Sequence, residues 1–180
     1  MPEIHLPASG LAEEILPRYQ DKKQGFHLVT FHLGEEYGVP IHQVREIIRV
    51  SGITMVPNSP SYMEGVINLR GRVLPVLNLR KRLKLAAKEI GKTSRIVVAE
   101  AGEKVIGLLV DAVSHVIRVA PESVESAPEE VLEIDTDYIT GVGKLKNRLV
   151  ILLDLEKLLR RENIETSDIE DQGGTHGKED

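Results

Sequence analysis

Two stretches of the chain occur twice in the same order, and this internal repeat is the feature that most limits the fold. Residues 37–50 align without gaps to residues 106–119, with five identities in 14 positions. Further on, residues 62–83 align to residues 138–159 with nine identities in 22 positions. Ordinary composition gives only about one or two matches over such a length. The sequence therefore contains a duplicated unit.

Each copy is a series of short β-rich runs separated by Gly, Pro and Asn. Many short strands at regular spacing are typical of small barrels, and a closed barrel also leaves no free sheet edge. We therefore predict an all-β protein with two tandem five-stranded barrels, at about residues 26–85 and 93–160, and only short helices. The ten predicted strands are Phe26–Leu33, Glu36–Pro40, Val44–Val50, Gly65–Leu69, Arg72–Leu77, Arg95–Ala99, Val105–Val110, Val113–Val119, Gly141–Leu145 and Leu149–Leu153.

The alignment of the copies also assigns local roles. Gly71 aligns with Asn147, and both residue types tolerate positive φ, so we predict two-residue hairpin tips at Arg70-Gly71 and Lys146-Asn147. Asn78 aligns with Asp154, and both are favoured helix N-caps. Each is therefore predicted to start a short helix.

Charge is unevenly distributed along the chain. Residues 161–180 hold seven acids and two bases, a net charge of −5, whereas residues 1–160 hold 21 of each sign. Residues 65–95 carry nine bases and one acid, and residues 121–137 carry seven acids and no base. We expect an N-terminal arm over residues 1–24 and an acidic, disordered tail over residues 161–180.

Composition excludes several classes of protein. No cysteine is present, which excludes a disulfide scaffold and thiolate chemistry. The longest apolar run, Leu149–Leu153, is far shorter than the roughly 20 residues of a membrane-spanning helix, and the N-terminus lacks a signal-peptide pattern. We expect a soluble cytoplasmic protein without membrane insertion. The stretch 65–95 is basic but has no aromatic residue, which argues against a nucleic-acid-binding barrel.

Motifs for catalysis and cofactors are incomplete. Gly91-Lys92-Thr93 lacks the earlier glycine of a phosphate-binding loop, since residue 86 is Ala, and it precedes a strand rather than a helix. The six histidines form no His-x-x-x-His pair. Asp135-Thr136-Asp137 can hold an ion or cap a helix, and capping is the simpler interpretation. We predict no enzyme activity, no cofactor and no metal.

Two charged residues stand out as candidates for contact with a partner. Arg70 lies at a predicted exposed hairpin tip, where it is either a solvated arginine or an interface anchor, since Arg is enriched at binding hot spots. Glu46 shares one side of its strand with Val44 and Ile48. It is either a residue turned to water or a partner contact, and the sequence leaves both open.

Several motifs together resemble the CheW-like chemotaxis coupling proteins over about residues 25–160. The most specific is Gly65-Val-Ile-Asn-Leu-Arg-Gly71, which continues through Arg72-Val-Leu-Pro-Val-Leu-Asn-Leu-Arg80. Other matching runs are Phe26–Gly38, Val44–Ile47, Ile53–Pro57, Val110–Ser114, Tyr138–Gly141 and Leu149–Leu155.

The resemblance implies two SH3-like five-stranded barrels packed on a shared apolar seam. It also implies a non-enzymatic adaptor, recruited to membrane receptor arrays, that joins the CheW-like regulatory domain of the histidine kinase CheA to the cytoplasmic tips of chemoreceptors. By motif, the family's contact positions are Val44, Glu46, Gly65 and Arg70. An adaptor of another CheA-type pathway, such as twitching motility or developmental signalling, is the alternative. The family often has Asp where this chain has Asn78, and either residue can cap a helix.

Overall fold

The computed structural model describes residues 25–131 and 138–159. The predicted arm (1–24), the Asp135-Thr136-Asp137 motif and the predicted tail (161–180) lie outside the described residues. The described strands are β1 (Phe26–Leu33), β2 (Glu35–Pro40), β3 (Val44–Arg49), β4 (Met63–Leu69), β5 (Arg72–Asn78), β6 (Arg95–Ala101), β7 (Lys104–Val110), β8 (Ala112–Val119), β9 (Val124–Glu125), β10 (Ile139–Leu145) and β11 (Arg148–Leu153).

Helical structure in the described residues is confined to short turns, as predicted. Helix α1 spans Leu79–Arg82, and residues 155–159 form a C-terminal helical turn. Both follow their predicted caps: the Asn78 side chain accepts a hydrogen bond from the Lys81 N–H, and Asp154 accepts one from the Lys157 N–H. Three further 3-10 turns span Ile41–Gln43, Pro121–Ser123 and Glu129–Val131. The all-β prediction is confirmed, and all ten predicted strands are present.

The strands form two sheets with the same internal plan. The six-stranded sheet has the order β8-β1-β2-β11-β10-β9, and the five-stranded sheet has the order β3-β6-β7-β5-β4. Each sheet contains one parallel pair, β2 with β11 and β5 with β7, among antiparallel ladders. Both sheets close into barrels, because the segment that follows one edge strand pairs with the strand at the opposite edge. After β3, Thr54 pairs with Val66 on β4, and after β8 the short β9 pairs with β10.

The predicted division of these barrels between residues 26–85 and 93–160 is wrong. The two copies exchange their first hairpins. Hairpin β1–β2 of the first copy joins the strands β8 to β11 of the second, and hairpin β6–β7 of the second copy lies between β3 and β5 of the first. The connections that lead from sheet to sheet are short: the 3-10 turn Ile41–Gln43 between β2 and β3, and Asp111 alone between β7 and β8. The duplication is retained, because strands at equivalent positions of the two copies occupy equivalent places in the two sheets.

Three apolar clusters hold the barrels together. The five-stranded barrel is filled by Ile67, Leu74, Val76, Ile96, Val98 and Leu109. The six-stranded barrel is filled by Phe26, Leu28, Val119, Val124, Val150 and Leu152. The largest cluster draws on both sheets and includes Phe31, Tyr37, Leu77, Leu108, Leu153 and Leu158. Full burial of each such side chain stabilises the fold by roughly 1.5–3 kcal/mol. The predicted apolar seam between the barrels is confirmed.

A buried arginine lies where the two copies meet. The Arg82 guanidinium carbon is 5.0 Å from the ring centroid of Tyr62 and 5.8 Å from that of Tyr138, which are equivalent residues of the two copies. Its Nη2 donates a hydrogen bond of 3.1 Å to the carbonyl oxygen of Leu158, the residue equivalent to Arg82 itself. One side chain therefore bridges the two halves where the repeat places an arginine in one copy and a leucine in the other.

Candidate interaction site

Arg70 lies at the tip of the β4–β5 hairpin, as predicted. Arg70 and Gly71 have φ angles of 50° and 82°, the left-handed pair that a two-residue hairpin turn requires. The Asn68 side chain accepts a hydrogen bond of 2.8 Å from the Gly71 N–H and so fixes the turn. The Arg70 side chain is 74% exposed. The local sequence therefore builds a rigid turn that projects a guanidinium from the end of the five-stranded barrel.

Glu46 is the partner of this arginine. Arg70 Nη1 and Nη2 donate hydrogen bonds of 2.7 and 2.9 Å to the two carboxylate oxygens, which is the bidentate geometry that arginine favours. Glu46 lies on β3, an edge strand of the five-stranded sheet, whereas Arg70 follows β4 at the opposite edge. The hydrogen bond from Arg70 holds the pKa of the Glu46 carboxyl below its ordinary value, and the same bond raises the pKa of Arg70.

The other two predicted contact residues have different surroundings. Val44 begins β3, pairs with Ala99 and packs half-buried against the seam between the barrels. Gly65 is buried and has a φ of 148°, and a Cβ there would lie 2.1 Å from the carbonyl oxygen of Thr54. Gly65 therefore has a backbone role, because it lets the segment after β3 approach β4 and close the barrel. Of the four predicted residues, the structure joins only Glu46 and Arg70.

A groove of about 440 Å³ runs beside this ion pair. Its lining includes Val98 and Val105 among apolar side chains, and Arg45 and Arg72 among charged ones. Arg45 donates a hydrogen bond of 2.8 Å to Glu100, so a second arginine–glutamate pair lies on the same barrel. The groove offers apolar contact and several arginine donors, which suits a protein segment that carries both apolar and acidic groups.

Sequence reasoning missed two exposed apolar residues on this barrel. Ile47 lies on β3 between Arg45 and Arg49, and Val73 lies on β5 beyond the hairpin tip; both are well exposed. The alternation of side chains along β3 could have indicated that Ile47 is exposed, because Ile47 lies on the same face as the exposed Arg45 and Arg49. The pairing of Arg70 with Glu46 was also missed, because nothing local links residues 24 positions apart.

The described residues contain neither a cluster of metal ligands nor a helix that could span a membrane. No group of three or more His, Asp or Glu side chains within residues 25–131 and 138–159 is placed to hold a metal ion. Over the same part of the chain, no helix has the length and apolar character of a membrane span.

Comparison with known proteins identifies the family. The family described as CheW-like domain matches residues 27–163. The chain is 37% identical over 141 residues to chemotaxis protein CheW of Klebsiella aerogenes, covering 78% of this chain and 85% of that protein. It is 38% identical over 147 residues to chemotaxis protein CheW of Bacillus subtilis, covering 81% and 94%.

A solved structure has the same fold. The scaffolding protein TtCheW from Thermoanaerobacter tengcongensis superposes with a TM-score of 0.69 at 36% identity, covering 74% of this chain and 92% of that one. The two barrels are thus of the SH3-like kind that the resemblance implied. On its sequence and on its fold, the chain belongs to the CheW-like family of chemotaxis coupling proteins.

Proposed function

We propose that this protein is the adaptor that joins a CheA-type histidine kinase to the cytoplasmic tips of chemoreceptors. It is a chemotaxis coupling adaptor and not an enzyme, in keeping with its family. In this proposal it works in the cytoplasm, recruited to receptor arrays, and binds the CheW-like regulatory domain of the kinase. The observation that carries the proposal is the exposed Glu46–Arg70 ion pair, which joins two of the four residues that the family resemblance leads us to expect as partner contacts.

The ion pair suits a partner contact because of its exposure. Arg70 keeps most of its side chain in water, and exposed pairs of this kind add little to folding. A guanidinium held by a fixed turn, beside a groove of mixed apolar and charged lining, has instead the features of an interface anchor. Val44 is the first residue of β3, the strand that carries Glu46, so we assign it a contact role. Gly65 lets the barrel close, so we assign it a supporting role.

The distribution of charge between the barrels suits an adaptor with two partners. The nine bases of residues 65–95 belong to β4, β5, α1 and β6 and the segments that join them, and these strands form the five-stranded barrel. The acidic stretch 121–137 contains β9 of the six-stranded barrel. Two faces that bind different partners can transmit a receptor change to the kinase as a coupling free energy, typically ~1–3 kcal/mol.

Charge reversal at the hairpin tip tests the site in a reconstituted assay of receptor-controlled kinase activity. We expect Arg70→Glu to weaken coupling about tenfold or more, as truncation of a hot-spot residue does. Lys146→Glu, at the equivalent tip of the other barrel, is the matched control and is expected to couple normally. Normal coupling by Arg70→Glu, with the wild-type melting temperature, would remove the site assignment.

The double variant Glu46→Arg/Arg70→Glu separates two roles of the ion pair. It restores an arginine–glutamate pair of reversed direction. If a partner contacts these two charges directly, as proposed, the double variant still couples weakly. If coupling recovers, the ion pair acts only by joining the two edges of the barrel.

The choice of pathway is tested by capture from the source cell. We expect the protein to retain both a CheA-type kinase regulatory domain and the cytoplasmic fragment of a chemoreceptor. Retention of a kinase from a motility or developmental pathway in place of the chemotaxis kinase supports the alternative adaptor role. Failure to retain any kinase contradicts both.

A further inference from the structure

The groove beside the Glu46–Arg70 ion pair contains an arginine that is not bound to a glutamate. Three arginines line this groove, and two of them are paired: Arg45 with Glu100 and Arg70 with Glu46. The side chain of the third, Arg72, is exposed and makes no hydrogen bond or ion pair with any of residues 25–131 and 138–159. Its guanidinium donors are therefore open to a ligand in the groove.

The second copy of the repeat shows what an arginine at this position binds. Arg148 is the equivalent of Arg72 in the six-stranded barrel, and its Nε lies 3.1 Å from a carboxylate oxygen of Glu36. The Glu36 side chain is only 8% exposed, so the barrel encloses this carboxylate. In the copy where the arginine has a partner, the partner is thus a buried glutamate.

The strand ladders show that Val105 takes the place of this glutamate in the five-stranded barrel. Gly38 and Gly107 hold equivalent places in the two parallel ladders. Glu36 lies two residues before Gly38, and Val105 lies two residues before Gly107. Val105 lines the groove together with Arg72. Both copies therefore have the arginine, but only one of them supplies a carboxylate to it.

The valine leaves the arginine beside an open apolar floor. Val105 packs against the apolar cluster of the five-stranded barrel, and Leu69 and Val98 line the same groove of about 440 Å³. Glu103 also lines the groove, but within the described part of the chain it forms no ion pair with Arg72. A ligand in this groove therefore meets a free guanidinium and apolar side chains at once.

We propose that the groove binds a carboxylate side chain of a protein partner, which takes beside Arg72 the place that Glu36 takes beside Arg148. The identity of the partner rests on the proposed adaptor function, whereas the chemistry of the subsite does not. Arginine binds carboxylates through short, charge-assisted hydrogen bonds. An apolar residue next to the Asp or Glu of the partner gains contact with the floor, which a free anion cannot gain.

A short peptide measures the subsite without the signalling complex. The probe is the tripeptide Leu-Glu-Leu, acetylated and amidated at its ends, titrated into the isotope-labelled full chain. We expect it to shift the side-chain Nε–H signal of Arg72 and the backbone amide signals of β6 and β7, with a Kd of order mM. The neutral peptide Leu-Gln-Leu is expected to bind about fivefold more weakly or less. Acetate that shifts these signals at the same concentration as the peptide would show a site for free anions and overturn the proposal.

Variants of the groove test whether the carboxylate takes the place of a missing glutamate. Val105→Glu supplies that carboxylate from within the chain and is expected to weaken peptide binding about tenfold or more. Val105→Gln has the same size without the charge and is the matched control, with an expected loss of less than about threefold. Equal binding by these two variants would contradict the proposal.

Replacing the arginine itself gives a test that leaves the apolar floor intact. Arg72→Gln removes an exposed charge and is expected to weaken peptide binding about tenfold. Arg49→Gln removes an exposed arginine of the same barrel outside the groove and is expected to leave binding unchanged. Equal losses in the two variants would mean that the peptide responds only to the overall charge of the barrel, which would overturn the proposal.

The assay of receptor-controlled kinase activity separates this subsite from the proposed function. We expect Arg72→Gln and Val105→Glu to weaken coupling, and Val105→Gln to couple nearly as the wild type does. Normal coupling by Arg72→Gln and Val105→Glu, where Arg70→Glu couples weakly, would overturn the partner assignment and leave the adaptor function intact. Failure of the wild-type chain to retain a kinase or a receptor would remove the adaptor function, and the peptide titration would still decide the subsite.

Discussion

The equivalent ends of the two barrels keep the same apolar surface but differ in charge. Ile47 and Val73 are exposed on the five-stranded barrel, and the equivalent residues Val116 and Leu149 are exposed on the six-stranded barrel. Glu46 and Arg70 form an ion pair on the first, whereas His115 and Lys146 stand at those positions on the second. The two tips also differ: among the described residues, Arg70 and Gly71 have positive φ, but Lys146 and Asn147 do not. The duplication therefore preserved the fold and the surface hydrophobicity, while charge and turn geometry diverged to distinguish the two faces.

The largest difference in stability between the two copies is expected for substitutions at Gly65 and Gly141, the equivalent glycines where the barrels close. In the five-stranded barrel, a Cβ at Gly65 would lie 2.1 Å from the Thr54 carbonyl oxygen and φ is 148°. At the equivalent Gly141 a Cβ would lie 2.8 Å from the Glu125 carbonyl oxygen, and φ is not positive. We expect Gly65→Ala to lower the free energy of unfolding by about 4 kcal/mol or more, because it adds backbone strain to a clash, and Gly141→Ala by about 2.

Urea unfolding of the two glycine variants checks this order. Gly71→Ala at the hairpin tip is the control that measures backbone strain without a clash. At Gly71 φ is 82°, but an added Cβ would meet no atom within 4 Å. Its cost is expected to be about 1 kcal/mol. Equal losses for Gly65→Ala and Gly141→Ala would mean that the two barrels close in the same way.

The next largest effect is expected where Arg82 stands opposite Leu158. Arg82→Ala removes a side chain stacked between two tyrosines and leaves the Leu158 carbonyl oxygen without its donor. Such a loss costs about 3 kcal/mol, from cation–π contact, packing and an unsatisfied acceptor. Arg82→Lys keeps the charge but not the planar group and is expected to lose less than half as much. A wild-type unfolding midpoint for Arg82→Ala would show that apolar packing alone joins the barrels.

Sequence reasoning succeeded where local rules decide the structure. The ten strands, the Arg70-Gly71 turn and the Asn78 cap follow from residue pattern, positive φ and side-chain oxygen chemistry. The exchange of hairpins between the barrels could not be predicted from the sequence. Because the two copies are similar, a strand would meet nearly the same residues whether it paired within its own copy or with the other copy. Strand β9 has only two residues, too few for a periodic pattern. The role of Gly65 needed the position of Thr54, which lies on a separate segment of the chain.

The cap of α1 gives a third comparison between the copies. Asn78 Nδ2 donates a hydrogen bond of 2.7 Å to Glu64, while its oxygen caps the helix. The second copy has Asp154 at the cap and Thr140 in place of Glu64. Asn78→Asp is therefore expected to cost about 1–2 kcal/mol at neutral pH, because it places a carboxylate against Glu64 and removes a donor.

The residue pair of the second copy supplies the test of this explanation. In the double variant Asn78→Asp/Glu64→Thr, which reproduces the Asp154 and Thr140 combination, most of the lost stability is expected to return in a double-mutant cycle of urea unfolding. A loss that stays the same in both backgrounds would assign the effect to the cap and not to Glu64.

The smallest expected effect concerns the ion pair of Arg80 with Asp111, which the second pair of equivalent positions does not repeat. Arg80 binds Asp111 with side chains 14% and 13% exposed, whereas the equivalent positions hold Glu156 and His42. The hydrogen bond from Arg80 lowers the pKa of Asp111 in the folded protein. Stabilisation by a carboxyl with a lowered pKa is complete above its unfolded pKa of about 3.9 and is lost as the pH falls through the folded value.

Asp111→Asn is therefore expected to cost about 1 kcal/mol at pH 7, because a neutral amide still accepts from Arg80 but no longer attracts its charge. The difference from wild type should shrink as the pH falls below about 4, where the native carboxyl begins to lose its charge advantage. Glu100→Gln, in the exposed pair with Arg45, is the control and should leave stability unchanged at both pH values. A gap between Asp111→Asn and wild type that is constant from pH 7 to pH 2 would show that hydrogen-bond geometry, and not charge, stabilises the connection between β7 and β8.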